Sequence, residues 1–226
     1  MNLKPAFASA RVSLPALLIT LTSTLALLGS APSARADNLV DGVSIVPAGS
    51  PVLTTNIPDP ASSSVTPCDE LGGVVLSPNV PSPLTATQIQ IVVRNVAMAP
   101  IIDAAIEVRF HTPELVCPNA VLTGMTDSSG RLSLTLAGGG CQTDEFFGCV
   151  VRANGVTIRN FSNVKSPDFD GAGGDHKVDI ADLVAFSAEF LGTSAPDCHD
   201  YDNTGTTDLG DLIMFAPAFT DASHCP

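Results

Sequence analysis

The sequence predicts two structured parts: an all-β antiparallel sandwich, then a small pair of helices, each led by an acidic loop. Three observations predict this. Runs of alternating apolar and polar residues recur between residues 88 and 159, two C-terminal stretches repeat each other 29 residues apart, and six cysteines lie among them.

Gln88 to Val93, Ala105 to Phe110, Arg131 to Leu136 and Gly155 to Arg159 alternate at period two. An extended chain points successive side chains to opposite faces, so these runs read as half-buried strands. Val74 to Leu76 and Cys149 to Arg152 are shorter apolar runs, and Asp127-Ser128-Ser129-Gly130 is a turn by composition. Six or seven short strands make a sandwich of about 100 residues, placed at residues 68–164. Residues 37–67 carry Pro47, Pro51, Pro58, Pro60, Pro67 and Ser62-Ser63-Ser64 and read as an extended linker, with Val43, Ile45 and Val46 suited to an edge strand. The segment from Pro100 to Val108, followed by Thr126 to Arg131, resembles bacterial Ig-like and carboxypeptidase-regulatory-type sandwiches. In such families the module is a spacer, an adhesion unit or the neighbour of a catalytic domain, and fold alone does not choose among these.

In the C-terminal part, Asp200 to Asp211 form a twelve-residue stretch with Asp200, Asp202, Asp208 and Asp211 at positions 1, 3, 9 and 12 and Gly205 at position 6, where a calcium loop turns sharply. Calcium takes six to eight hard oxygens at roughly 2.3 to 2.6 Å, and alternate carboxylates in a tight loop supply them. The expected side-chain ligands are Asp200, Asp202, Thr204, Asp208 and Asp211, with the Thr206 carbonyl from the backbone. Asp211 is one methylene shorter than the usual glutamate, which draws the helix closer or makes the ligation monodentate.

The earlier copy supplies Asp168, Asp170, Asp175, Lys177, Asp179 and Asp182. Asp179 and Asp182 stand 29 residues before Asp208 and Asp211, but Asp175 lies five residues beyond Asp170 instead of two. Three residues of Gly171-Ala172-Gly173-Gly174 are therefore extra, and His176 takes the turn-glycine slot. An alternative alignment places Ala172 at position 5 and Gly173 at position 6; neither gives a regular loop.

Each loop runs into a helix. Leu183, Phe186 and Phe190 recur at i, i+3 and i+7, as do Leu212, Phe215 and Phe219, so each helix carries one apolar stripe and the stripes face each other. Pro217 removes a hydrogen bond and is expected to kink or shorten the second helix.

The doubled pattern resembles the dockerin type I family, whose repeats read approximately D-x-N/D-x-D-G-x-V-x-x-x-D-L and lead into a helix. The resemblance covers residues 165–226. It implies a small calcium-stabilised helical pair on a secreted protein, with a cohesin-like receptor or the chain's own sandwich as partner. Loop positions 10 and 11, where cellulosomal members carry a Ser-Thr pair that touches cohesin, here hold Ile180-Ala181 and Leu209-Gly210.

At the N-terminus, Lys4 and Arg11 precede an apolar run from Leu14 to Leu28, and Ala34-Arg35-Ala36 offers small residues at a signal-peptidase site. Residues 1–36 are thus expected to be a signal peptide of a secreted protein, with no later helix able to span a bilayer; the dockerin resemblance implies a bacterial one. Export favours paired cysteines. The expected bridges are Cys198 with Cys225, Cys117 with Cys141, and Cys68 with Cys149; a zinc site from Cys198-His199 and His224-Cys225 lacks the usual ligand spacing.

Composition and motifs narrow the function. With 23 acidic against ten basic residues and a net charge of −13, the chain repels nucleic acid. No Gly-x-Ser-x-Gly elbow, His-Glu-x-x-His helix or phosphate-binding glycine loop occurs, Gly138-Gly139-Gly140 precedes a cysteine, and no defined separation sets Glu107, Glu114 and Glu145 as a carboxylate pair. The expectation is a non-catalytic, secreted, calcium-binding structural or interaction protein, with a cohesin-docking adaptor in polysaccharide degradation as the alternative.

Overall fold

Alternation sets the faces of the strands. In β3 (Gln88–Val92), Ile89 and Ile91 are buried while Gln88 and Gln90 are exposed; in β4 (Ala105–Phe110), Ile106 and Val108 are buried. The same logic turns Cys149, Val151 and Ala153 of β7 (Cys149–Ala153) inward. In the computed structural model these strands join β1 (Ser64–Thr66), β5 (Thr123–Met125), β6 (Arg131–Thr135) and β8 (Val156–Phe161) in two antiparallel sheets, ordered β1-β3-β6 and β5-β4-β7-β8. The structure describes residues 56–143, 146, 148–171, 173–219, 224 and 225.

Register follows the apolar pattern. Ile89 lies opposite Leu134 and Ile91 opposite Leu132 in one sheet, and Val108 lies opposite Val151 in the other. Side chains of both sheets meet in a single core with Val65, Cys68, Val74 and Leu76. The turn at Asp127 to Gly130 forms as its composition predicts: Asp127 Oδ1 accepts from the Ser129 and Arg131 amides at 2.8 and 2.9 Å, and Gly130 takes φ +73°.

Three short elements lie where the sequence offered no strand pattern. β1 falls inside the expected linker, where the Arg159 guanidinium binds the Pro60 and Ser63 carbonyls and the Asp69 carboxylate. β5 is only three residues long. A parallel pair joins β2 (Val74–Val75) to β9 (Val164–Lys165), so a strand runs across the expected boundary at 164/165.

The expectation of an all-β Ig-like sandwich followed by a separate all-α dockerin-like pair is therefore corrected. The described residues are mostly β, with a short helix α1 (Cys68–Leu71) and the parallel β2–β9 pair set among the antiparallel strands. Residues 52–226 make one compact unit, and the two later helices, α2 (Ile180–Phe190) and α3 (Leu209–Phe219), share a core with Val75, Leu84 and Ala86. Two eleven-residue helices are too short to be stable in isolation, and they bury their stripes against the sheets as well as against each other. The Phe186 and Phe215 rings stack at 4.9 Å, while Phe190 and Phe219, 41% and 38% exposed, lie at the edge of this packing. Pro217 lies within α3, which still runs to Phe219 and matches α2 in length.

The cystines are corrected too. Cys141 is bonded to Cys198 and Cys117 to Cys225, so neither Cys198–Cys225 nor Cys117–Cys141 forms. Cys68 and Cys149 are unbonded thiols buried in the sheet core, where burial, first of all, pushes the Cys68 thiol up to about 12. Both bridges tie the sheet region to the helical region, because the Gly138 to Cys141 loop lies against the start of the first acidic loop: the Gly140 amide donates to the Asp168 carbonyl at 2.7 Å. The two disulfides fit an extracellular protein. Among the described residues no helix is long and apolar enough to cross a membrane, and the expected signal peptide lies outside them.

Peptide mapping without reduction should recover Cys141 with Cys198 and Cys117 with Cys225; a Cys198–Cys225 peptide would contradict this fold. Replacing Cys141 and Cys198 by Ser should cost up to about 4 kcal/mol in chemical denaturation, given the loop of 57 residues that the bond closes. Phe186→Ala should cost about 3 to 5 kcal/mol by the same measurement.

Candidate metal site

The second acidic loop is shaped by carboxylates that accept backbone amides. Asp200 Oδ1 accepts from the Thr204 amide at 3.0 Å and Oδ2 from the Gly205 amide at 2.9 Å. Gly205 takes φ +87°, a left-handed conformation that costs glycine little. Asp211 reaches back from the first turn of α3, its Oδ1 accepting from the Tyr201 amide at 2.7 Å and its Oδ2 from the Asp208 amide at 2.8 Å. As a result, ligand oxygens of Asp200, Asp202 and Asp211 all lie within 4.8 Å of one another. Oxygens that share an ion at about 2.3 to 2.6 Å can be no further apart than about 5.2 Å, and these three lie within that limit.

Other expected ligands have different work. Asp208 Oδ1 accepts from the Gly210 amide at 2.7 Å and caps α3. The Thr204 hydroxyl lies 3.3 Å from the Thr206 carbonyl, which accepts its hydrogen bond. Thr204 also lies beside the acids, its hydroxyl 3.5 Å from Asp200 Oδ1, while Asp208 stands outside the three carboxylates that converge.

The first loop repeats the same scaffold around its insertion. Asp168 Oδ1 accepts from the Asp175 amide at 3.0 Å and Oδ2 from the His176 amide at 2.8 Å. Asp175 and His176 therefore stand where Thr204 and Gly205 stand in the second loop, and His176 takes φ +65° in the glycine slot. This favours the alignment with three extra residues after Asp170. Asp179 caps α2 through the Ala181 amide at 2.7 Å, and Asp182 Oδ2 accepts from the Asp179 amide at 2.8 Å. Asp175 pairs with Lys177 at 3.8 Å on the surface, and the Asp170 amide donates to the Gly173 carbonyl at 3.4 Å. Among the described residues, Asp168, Asp170, Asp175, Asp179 and Asp182 do not bring three carboxylate oxygens into one such cluster. Gly139 packs so closely on Asp168 that a Cβ there would stand 1.6 Å from Oδ2.

Sequence reasoning missed the residues that hold the loops to the rest of the chain. Glu189, at the end of α2, accepts from the Asp197 and His199 amides at 3.0 and 3.1 Å, the Thr207 hydroxyl at 3.0 Å and the His199 ring at 2.9 Å. It thereby ties the first helix to both ends of the second loop. Asn203 donates to the Leu71 carbonyl at 2.8 Å and accepts from Asn163 at 2.9 Å. Lys165 of β9 donates to the Asp200 carbonyl and lies 3.9 Å from Asp200 Oδ2. Periodicity carries no trace of such long-range contacts; the one available signal was that Lys165 and Lys177 are the only cations in an acidic region.

Burial dominates the electrostatics of both loops. Burial pushes Asp168 up to about 7 and Asp182 up to about 6, with neighbouring carboxylates adding to the rise and amide hydrogen bonds opposing it. Asp211 is raised in the same way, first by burial and then by Asp202 and Asp200. Glu189 goes the other way. Burial alone would raise it, but the hydrogen bonds from His199 and Asp197 outweigh burial and hold it at about 2.

These shifts give a pH prediction for the metal-free protein. Folded Asp168 and Asp182 hold protons that the unfolded chain has already released, so stability falls as pH rises from about 4 to about 7. Glu189 has the opposite sign: its contribution is present above about 4.5 and is lost as pH falls towards about 2. Denaturation in chelator should show maximal stability near pH 4 to 5 and a decline towards neutrality that is smaller in Asp168→Asn; a steady rise from pH 4 to 7 in both proteins would contradict the electrostatics. No protein-family model, curated protein or solved structure matches this chain.

Proposed function

We propose that this chain is a secreted, non-catalytic, calcium-binding protein with a structural or protein-interaction role. The observation that carries the reading is the convergence of Asp200, Asp202 and Asp211 on a loop already bent by Gly205. Calcium there replaces carboxylate repulsion with shared ligation, and its binding energy adds to the stability of the fold. The resemblance of both loops to dockerin type I repeats supports the choice of calcium, as does an all-oxygen donor set, which suits a hard cation. The cystines support an extracellular setting, where calcium is abundant.

One further observation favours the interaction role. Ile180 and Val184 on α2 and Leu209 and Ile213 on α3 occupy equivalent repeat positions and are each 63% to 67% exposed. Paired apolar side chains at i and i+4 form one stripe along a helix face, and here the stripe occurs twice. This supports the adaptor reading, in which a cohesin-like receptor meets the first turns of these helices.

Calcium calorimetry on the chelated, dialysed protein tests the first reading, with one ion expected, bound by the second loop. Asp202→Asn should weaken binding about tenfold or more while leaving stability in chelator unchanged or higher, because Asp202 adds charge to the cluster. No heat of binding would end the calcium reading. For the adaptor, Ile180→Asp with Leu209→Asp should abolish capture by cohesin-type domains in saturating calcium, and an absence of wild-type capture would end it.

A further inference from the structure

We infer that Lys165 is a resident counter-cation of the second acidic loop, holding it in shape without a metal and lowering its affinity for a divalent ion. The inference rests on the calcium reading of that loop. Lys165 belongs to β9, outside the loop sequence, yet its ammonium donates to the Asp200 carbonyl and lies 3.9 Å from Asp200 Oδ2. Lys165 and Asp200 are each only 4% exposed, so water does little to screen the pair. Burial, first of all, lowers the Lys165 ammonium from its ordinary range, and the acids that oppose this are Asp200, Asp197, Asp211 and Glu189. Two of them, Asp200 and Asp211, belong to the converging set.

The ammonium and a divalent ion therefore compete for the same negative charge. A carboxylate contact adds about 2.3 to 2.6 Å to the 3.9 Å that separates Nζ from Asp200 Oδ2, so an ion bound through that oxygen lies within about 6.5 Å of the ammonium. Repulsion between one and two charges at that distance lowers affinity about tenfold even at the dielectric of water. The same ammonium stabilises the metal-free loop, because among the described residues the other charges that converge on Asp200 are the carboxylates of Asp202 and Asp211. Lys165 thus raises the calcium concentration at which the loop loads and narrows the gap in order between the two states.

The test compares calcium titrations and thermal melts of the full chain for wild type, Lys165→Gln, Lys165→Met and Lys165→Arg. Gln keeps a donor for the Asp200 carbonyl, Met keeps length, and Arg keeps charge. The neutral variants should bind calcium about tenfold tighter than wild type and melt lower in chelator, with the deficit recovered in calcium; Arg should match wild type in affinity. A merely structural lysine would instead weaken binding on removal. Neutral variants that bind no tighter, or that fail to fold even in calcium, overturn the inference while leaving the calcium reading intact. Wild type that takes up no calcium overturns both.

Discussion

Burying a carboxylate is the constraint on which the rest of this structure depends. Asp168, Asp182, Asp200 and Asp211 are all nearly inaccessible, at 4% exposure or less, and an ionised acid removed from water costs several kcal/mol unless something compensates it. Backbone amides supply the first compensation. The two position-1 aspartates each accept two amides from the turn that follows, and the two position-12 aspartates each accept the amide of the residue that caps their helix. Loop curvature, helix start and side-chain orientation are thereby fixed by the same few hydrogen bonds. What amides cannot supply is charge, and for that the second loop draws on Lys165.

The two loops diverge in how they meet this constraint. In the second, Asp202 remains half-buried beside Asp200 and Asp211, and three carboxylates share one small space. In the first, the backbone of Gly139, from the Gly138 to Cys141 loop, and of Gly174, from the glycine-rich insertion, closes over Asp168. Asp168 consequently spends its oxygens on amides inside a tightly packed shell. The same amide-accepting scaffold occurs in both loops, but among the described residues the second alone brings three carboxylates together.

How much of this was legible in the sequence depended on the range of the interaction. Alternation in Gln88 to Val93 and Ala105 to Phe110 reports a local geometry, and those strands lie where the pattern puts them. The 29-residue repeat likewise located both helices and the placement of His176 opposite Gly205. Short elements defeated the same reasoning, since β1 and β5 have three residues each and β9 two, too few to show a period. Asp208 shows a different limit: a position-9 acid in such a loop is also a good helix cap, and its Oδ1 accepts the Gly210 amide here. The cystines were out of reach because their pairing depends on the loop from Gly138 to Cys141 lying beside the first acidic loop, a contact between residues far apart in the chain.

The strand β9 carries a consequence for how the acidic repeats could pass between proteins. Paired in parallel with β2 and immediately upstream of Asp168, it serves the sheets with Val164 and the second loop with Lys165. A segment of this kind is not an interchangeable cassette. Transplanted to another host from residue 165 onwards, it would leave behind Val75, Leu84 and Ala86, which complete its core, and both cysteines that anchor it. In this chain the repeats depend on the sheets for part of their core and for one cysteine of each cystine, so a change on either side is felt on the other.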